Sequence, residues 1–206
     1  MMIELIDNAI QILTLIVCVS VSVLRAARFG SRSWTMLAFF YGTLLMGDIY
    51  WAVYQIFLER SPQISVAADL SWYAAYILLY LLMRHILPPE EVSGKRPLAL
   101  LGPALSIGMG IVFMMRGEII NNAVYAGLMG LLMYSAIIRL SDASLGKKEY
   151  ILPAAVLAFC IAEYALWISS LFWNDKALFH PYYIFDLIFT ASFPLILNAV
   201  KKAVEP

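Results

Sequence analysis

Residues 64–83 read Ile-Ser-Val-Ala-Ala-Asp-Leu-Ser-Trp-Tyr-Ala-Ala-Tyr-Ile-Leu-Leu-Tyr-Leu-Leu-Met, an apolar run broken by one charge, Asp69. As a helix rising 1.5 Å per residue it matches bilayer hydrocarbon, about 30 Å thick, which takes roughly 20 apolar residues to cross. Six further runs have comparable length: 3–24, 34–58, 98–115, 119–138, 150–173 and 182–200. None shows the ten-residue alternation of an outer-membrane barrel strand. The pattern predicts an all-α integral membrane protein with seven transmembrane helices, referred to here as spans 1 to 7.

Composition agrees. Of 206 residues, 63% are hydrophobic and 14% charged, with a mean hydropathy of +0.82, whereas soluble domains carry about 25% charged residues. The 14 basic residues balance 14 acidic ones, which argues against a nucleic-acid partner. The longest connector, 84–97, holds Pro88, Pro89, Glu90, Glu91, Lys95 and Arg96, leaving no soluble domain. Span 1 begins with Glu4 and Asp7 and lacks the basic start and small-residue cleavage site of a signal peptide, so it reads as retained.

Basic side chains resist translocation and so report orientation. Arg25, Arg28 and Arg32 follow span 1; Arg84, Lys95 and Arg96 follow span 3; Arg139, Lys147 and Lys148 follow span 5; Lys201 and Lys202 follow span 7. The other side carries Arg60, Arg116 and Lys176. This asymmetry places the N-terminus outside and the C-terminus in the cytoplasm of a cell that holds the chain in its plasma membrane.

The opening stretch has a counterpart. Asp69 to Leu78 and Asp186 to Leu195 both fit Asp-Leu-x-aromatic-x-Ala-small-aromatic-x-Leu. Upstream, Asp48 in span 2 matches Glu163 in span 6, each followed by Trp (Trp51, Trp167), and Asp7-Asn8-Ala9 matches Asn121-Asn122-Ala123. A parallel 3+1+3 duplication accounts for the register: repeat 1 over about 3–86, a linker helix over 97–116, and repeat 2 over about 118–202. The linker carries small residues four apart at Gly102, Ser106 and Gly110, with Ala104 and Gly108 on a second row, a spacing that lets helices approach closely. Shared apolar composition is the competing account of the match, but the acidic positions coincide as well.

Carboxylates inside a membrane are costly and mark function or pairing. Asp48, Asp69, Glu163 and Asp186 all fall in the outer halves of their spans, level with Asn8 and Asn122. Carboxylates clustered without cations either carry protons or receive a cation from outside. Trp51, Trp72, Tyr76 and Trp167 crowd the same turns, and an acidic group beside aromatic faces is the chemistry that holds amines. Plainer accounts stand beside this one: an interfacial aromatic belt and, for Asp69 and Asp186, helix N-terminal capping. The candidate ligand-binding set is therefore Asp48, Asp69, Glu163, Asp186, Trp51, Trp72, Tyr76, Trp167, Asn8 and Asn122.

His85 and His180 lie at opposite ends of the membrane, and Cys18 and Cys160 fall within spans without metal-ligand spacing, so no metal or cofactor is expected. No nucleophilic serine motif or phosphate-cradling glycine loop is present. Pro153 and Pro194 are candidate kinks in spans 6 and 7.

The segment from Gly47-Asp48 through Tyr54, with Ser65 to Leu82 and its Ala-Asp-Leu-x-Trp-x-x-x-Tyr core, resembles the multi-pass membrane input regions of bacterial diguanylate cyclases and histidine kinases. That resemblance implies a sensor. Because the chain ends at Pro206 with no output domain, it also implies a separate cytoplasmic signalling partner. The 3+1+3 plan is similar to that of SWEET-type sugar transporters, without their proline-glutamine signatures, and Gly47-Asp48 is similar to a pair in lysoplasmalogenase-type membrane lipid hydrolases. The expected function is a receptor-like membrane protein that takes a small polar or cationic ligand in an outward-facing acidic-aromatic pocket, more readily a binding protein than an enzyme. A small-solute transporter, possibly proton-coupled through Asp48 or Glu163, is the alternative, and an intramembrane hydrolase with carboxylates as acid and base is a third. Polar residues are sparse in the cytoplasmic half (Ser20, Ser22, Thr43, Ser135 and Asn198 are the main ones), which favours binding over passage.

Overall fold

The computed structural model describes residues 2–58, 66–87, 97–142, 146, 149–172 and 180–205. The helices are α1 (Met2–Phe29), α2 (Arg32–Leu58), α3 (Val66–Ile86), α4 (Leu101–Met114, entered through a 3-10 turn at Pro97–Leu100), α5 (Ile119–Leu140), α6 (Ile151–Ser170) and α7 (Pro181–Val204). There are seven spans long and apolar enough to cross a bilayer, and no strand among the described residues. This is the make-up of a multi-pass membrane protein. Its outer wall is the apolar surface lipid demands: Val17, Leu24, Phe57 and Ile120 all lie exposed.

Six helices close a ring. α1 packs on α2, α2 on α3, α3 on α5, α5 on α6, α6 on α7, and α7 back on α1; α4 stands outside it, along α5. In this order α1 stands opposite α5, α2 opposite α6, and α3 opposite α7. The seam of α4 is the predicted small-residue row, since Gly102, Ser106 and Gly110 are buried. A Cβ on Gly102 would come within 2.7 Å of Met133 Cβ, and one on Gly110 within 2.7 Å of Ala126 Cβ. Without a hydrophobic drive between helices in lipid, such close backbone approach is what holds α4 in place. The second row does not serve this purpose: Ala104 and Gly108 are exposed, and a Cβ on Gly108 would meet nothing.

At the end where the chain starts (the N-end) the ring is polar, whereas the half toward the C-terminus (the C-end) is filled. Trp34, Leu37, Phe40, Tyr41, Leu79, Leu82, Phe159 and Phe193 are fully or almost fully buried there. The Tyr41 hydroxyl donates to the Phe193 carbonyl at 2.6 Å, joining α2 to α7 beside Pro194. Pro194 is inside α7 and removes a helical N–H donor. Pro153 is different: it lies in the first turn of α6, where proline's missing N–H has no helical partner to lose, so it starts that helix rather than kinking it. Cys18 and Cys160 are free and buried, as the sequence predicts.

Candidate functional site

A cavity of about 460 Å³ opens within the ring in the N-end half, and all ten residues singled out in the sequence line it. α2 brings Asp48 and Trp51, α3 brings Asp69, Trp72 and Tyr76, α6 brings Glu163 and Trp167, α7 brings Asp186, α1 brings Asn8, and α5 brings Asn122. They converge because each lies at the same depth of its helix and on its inward face.

The acidic groups are held in unlike ways. Gly47 leaves room for the Trp72 indole against α2, where an added Cβ would lie 2.5 Å from Trp72 Nε1. From that seat the indole donates to Asp48 Oδ1 at 3.3 Å, and its ring centroid is 6.2 Å from that of Trp51. Tyr76 reaches across the ring and donates to Glu163 Oε1 at 2.9 Å; Glu163 is only 6% exposed. Asp48 Oδ2 and Glu163 Oε2 are buried oxygens with no hydrogen-bond donor. Asp69 faces the Tyr125 hydroxyl at 3.5 Å. Asp186 lies against the Asp7 carboxyl of α1. Asp186 is in the second turn of α7, and the cap of that helix is His180, whose Nδ1 accepts from the Tyr182 N–H at 3.0 Å. Capping is therefore not the role of Asp186, since the buried His180 fills it.

The two asparagines serve the wall of the cavity as well as its interior. Asn8 donates to Gln55 Oε1 at 2.6 Å, and Gln55 donates in turn to Glu4 at 2.5 Å. Asn122 donates to the Gly117 carbonyl at 2.8 Å and so fixes the α4–α5 turn, where Gly117 and Glu118 both take positive φ.

The lining residues that the sequence reading missed include Gln11, Phe113, Glu118 and Tyr125, together with Leu44, Leu166, Ser170 and Phe189. Gln11 and Tyr125 each lie four residues after a residue of the Asp7/Asn121 pair, one helical turn along the same face, and that spacing was the available signal. Tyr125 is central: its ring stands 4.7 Å from that of Trp167 and 4.8 Å from that of Tyr73. Phe113 gave no such signal, because it arrives from α4, outside the ring, by packing on Trp167 at 5.4 Å.

Five carboxyls line the cavity (Asp48, Asp69, Glu118, Glu163, Asp186) and, among the described residues, no Lys, Arg or His does. Arg116 is exposed and is not among the lining residues; Arg60 and Lys176 lie outside the described residues. No three acidic, His or Cys groups stand close enough to hold a metal ion among the described residues. What remains is a carboxyl-rich, aromatic-walled chamber.

The packing at Gly47 yields a prediction. Gly47→Ala drives a methyl group into Trp72, displaces its N–H from Asp48, and is expected to destabilise the protein by about 1–3 kcal/mol. Gly42→Ala, whose Cβ meets nothing within 4 Å, is expected to be neutral or stabilising by about 0.5–1 kcal/mol. Thermal unfolding of the two variants side by side checks this, and equal effects would contradict the seat assigned to the indole.

Comparison with protein-family models, curated proteins and solved structures gives no match. The functional reading therefore rests on the chamber itself.

Proposed function

We propose that the chain is a receptor-like membrane protein that binds a small organic cation in this chamber, with the N-end facing out of the cell and the C-end in the cytoplasm. The observation that carries the reading is the five carboxyls on the wall of one aromatic cavity with no described basic side chain among them. The basic residues support the orientation, since Arg25, Arg28, Arg84, Arg139, Lys201 and Lys202 all belong to the C-end. There Arg25 pairs with Glu205 and lies 5.0 Å from the Trp34 ring centroid, tying together α1, α2 and the end of α7.

A 3+1+3 duplication is part of the same proposal. The ring order supports it, because each helix of 1–2–3 stands opposite its counterpart in 5–6–7 and α4 is left outside. The acidic contacts support it too: Asp69 of α3 meets α5, and Asp186 of α7 meets α1. Signalling would run through α3, α5 and α7 to a separate cytoplasmic partner. Passage of the ligand is disfavoured by the packed floor of Phe40, Tyr41, Phe159 and Phe193 beneath the chamber.

The test is thermal unfolding of the purified protein with n-butylammonium against n-butanol, its neutral analogue. Ligand at a hundred times its Kd stabilises by about 2.7 kcal/mol. The expected result is a shift with the ammonium alone; equal shifts or none would remove the cation reading. Uptake of labelled amine into proteoliposomes is expected to stay at the level of empty liposomes, and sustained uptake would make the protein a carrier.

A further inference from the structure

Among the chamber's carboxyls, three already have partners within the protein. Asp69 faces Tyr125, Asp186 lies against Asp7, and Glu118 accepts from the Asn121 amide at 3.1 Å. Two oxygens are left over, Asp48 Oδ2 and Glu163 Oε2, both buried and without a donor. They belong to α2 and α6, which stand opposite each other in the ring, and both residues line the same cavity. Buried polar atoms in native structures are nearly always satisfied, so a pair left open on facing walls points to what the cavity is shaped to receive.

A metal ion does not fit this arrangement, since no triplet of ligating groups among the described residues is close enough to share one. The two open oxygens belong to helices on opposite sides of the ring, so each wall offers its own acceptor to an ammonium. One molecule with two ammonium centres joined by an apolar spacer satisfies both. Its second contact forms at the high effective concentration set by the first, while the methylenes lie against Trp51, Trp72, Tyr76 and Phe189. The indoles stand where the charges would sit: Trp72 donates to Asp48, and Trp167 is a hydrogen-bond partner of the Glu163 carboxyl.

We infer that the chamber selects linear diamines or polyamines, gripping one ammonium at Asp48 on α2 and another at Glu163 on α6. This rests on the organic-cation reading above and narrows it. Calorimetric titration of the full chain in nanodiscs of zwitterionic lipid tests it with 1-aminobutane, 1,4-diaminobutane, 1,5-diaminopentane and spermidine. At least one di- or polyamine is expected to bind about tenfold or more tighter than 1-aminobutane, because a hydrogen bond to a charged group contributes at least that much and exceeds the small statistical gain of having two ends. In Asp48→Asn and in Glu163→Gln that preference is expected to collapse toward equality, because each substitution removes one of the two grips on the diamine. Equal binding of mono- and diamine by the unsubstituted protein, or a preference that survives both single substitutions, would overturn the inference and leave the organic-cation reading standing. Failure of every amine to bind would overturn both.

Discussion

Glu163→Gln is expected to raise the unfolding temperature of the empty protein and to weaken its response to 1,4-diaminobutane. Glu163 is buried, and Asp48 and Asp186 line the same cavity with no described basic side chain among the lining residues. A carboxylate placed so costs at least a few kcal/mol, and such a group marks function or pairing. Glutamine keeps the shape and keeps Oε1 as acceptor for the Tyr76 hydroxyl, so it removes the charge without opening a hole. A gain of about 1–3 kcal/mol in the unliganded state follows, as when buried charges are replaced by neutral groups of similar volume. Binding moves the other way. Removing one member of a buried charge pair costs about 2–5 kcal/mol, roughly thirty-fold or more in affinity. Thermal unfolding with and without 1,4-diaminobutane reads both effects in one experiment. A lower unfolding temperature with the amine response intact would make Glu163 a structural acceptor for Tyr76 and nothing more.

Depth along the membrane could be read from the chain, because the position of Asp48 or Glu163 within an apolar run of known direction sets its height directly. Seven spans followed from the same arithmetic, and the small-residue seam of α4 followed from spacing. Helix ends were less accessible. α1 continues to Phe29, past Arg25 and Arg28: the pairing of Arg25 with Glu205 and its place over Trp34 let a charged turn extend the helix beyond the apolar run. Lateral order is absent from any single helix, so nothing local to α4 said that Phe113 would reach Trp167. The two asparagines show the remaining gap: the sequence set their height, whereas their partners Gln55 and Gly117 depend on neighbouring elements. The proposed duplication adds what individual spans do not, since matched acids in spans 2 and 6 imply facing walls when the helices close a ring.

Phe159→Ala is expected to weaken the fold and open the floor of the chamber at once. Phe159 is fully buried one turn below Glu163, and its ring stands 5.1 Å from Phe189, 5.9 Å from Tyr76, 6.1 Å from Phe40 and 6.5 Å from Phe193. In a water-soluble core this truncation costs about 3–5 kcal/mol, part of it from transfer out of water. In lipid that part is small, because the surrounding chains are as apolar as the side chain. The cavity contribution remains, at about 24 cal/mol per Å³ over a loss of about 100 Å³, giving about 2.4 kcal/mol. Denaturation of the reconstituted protein checks the stability, with Phe159→Leu, which refills most of the volume, expected to lose less than half as much. The functional consequence separates a floor from mere filler. The space vacated adjoins Tyr76 and Phe189, both of which line the chamber, so the chamber deepens toward the C-end and the barrier beneath it thins. Proteoliposomes carrying Phe159→Ala are therefore expected to leak labelled amine faster than those carrying Phe159→Leu. Equal leakage from the two would place the barrier deeper, at Trp34 and Leu82.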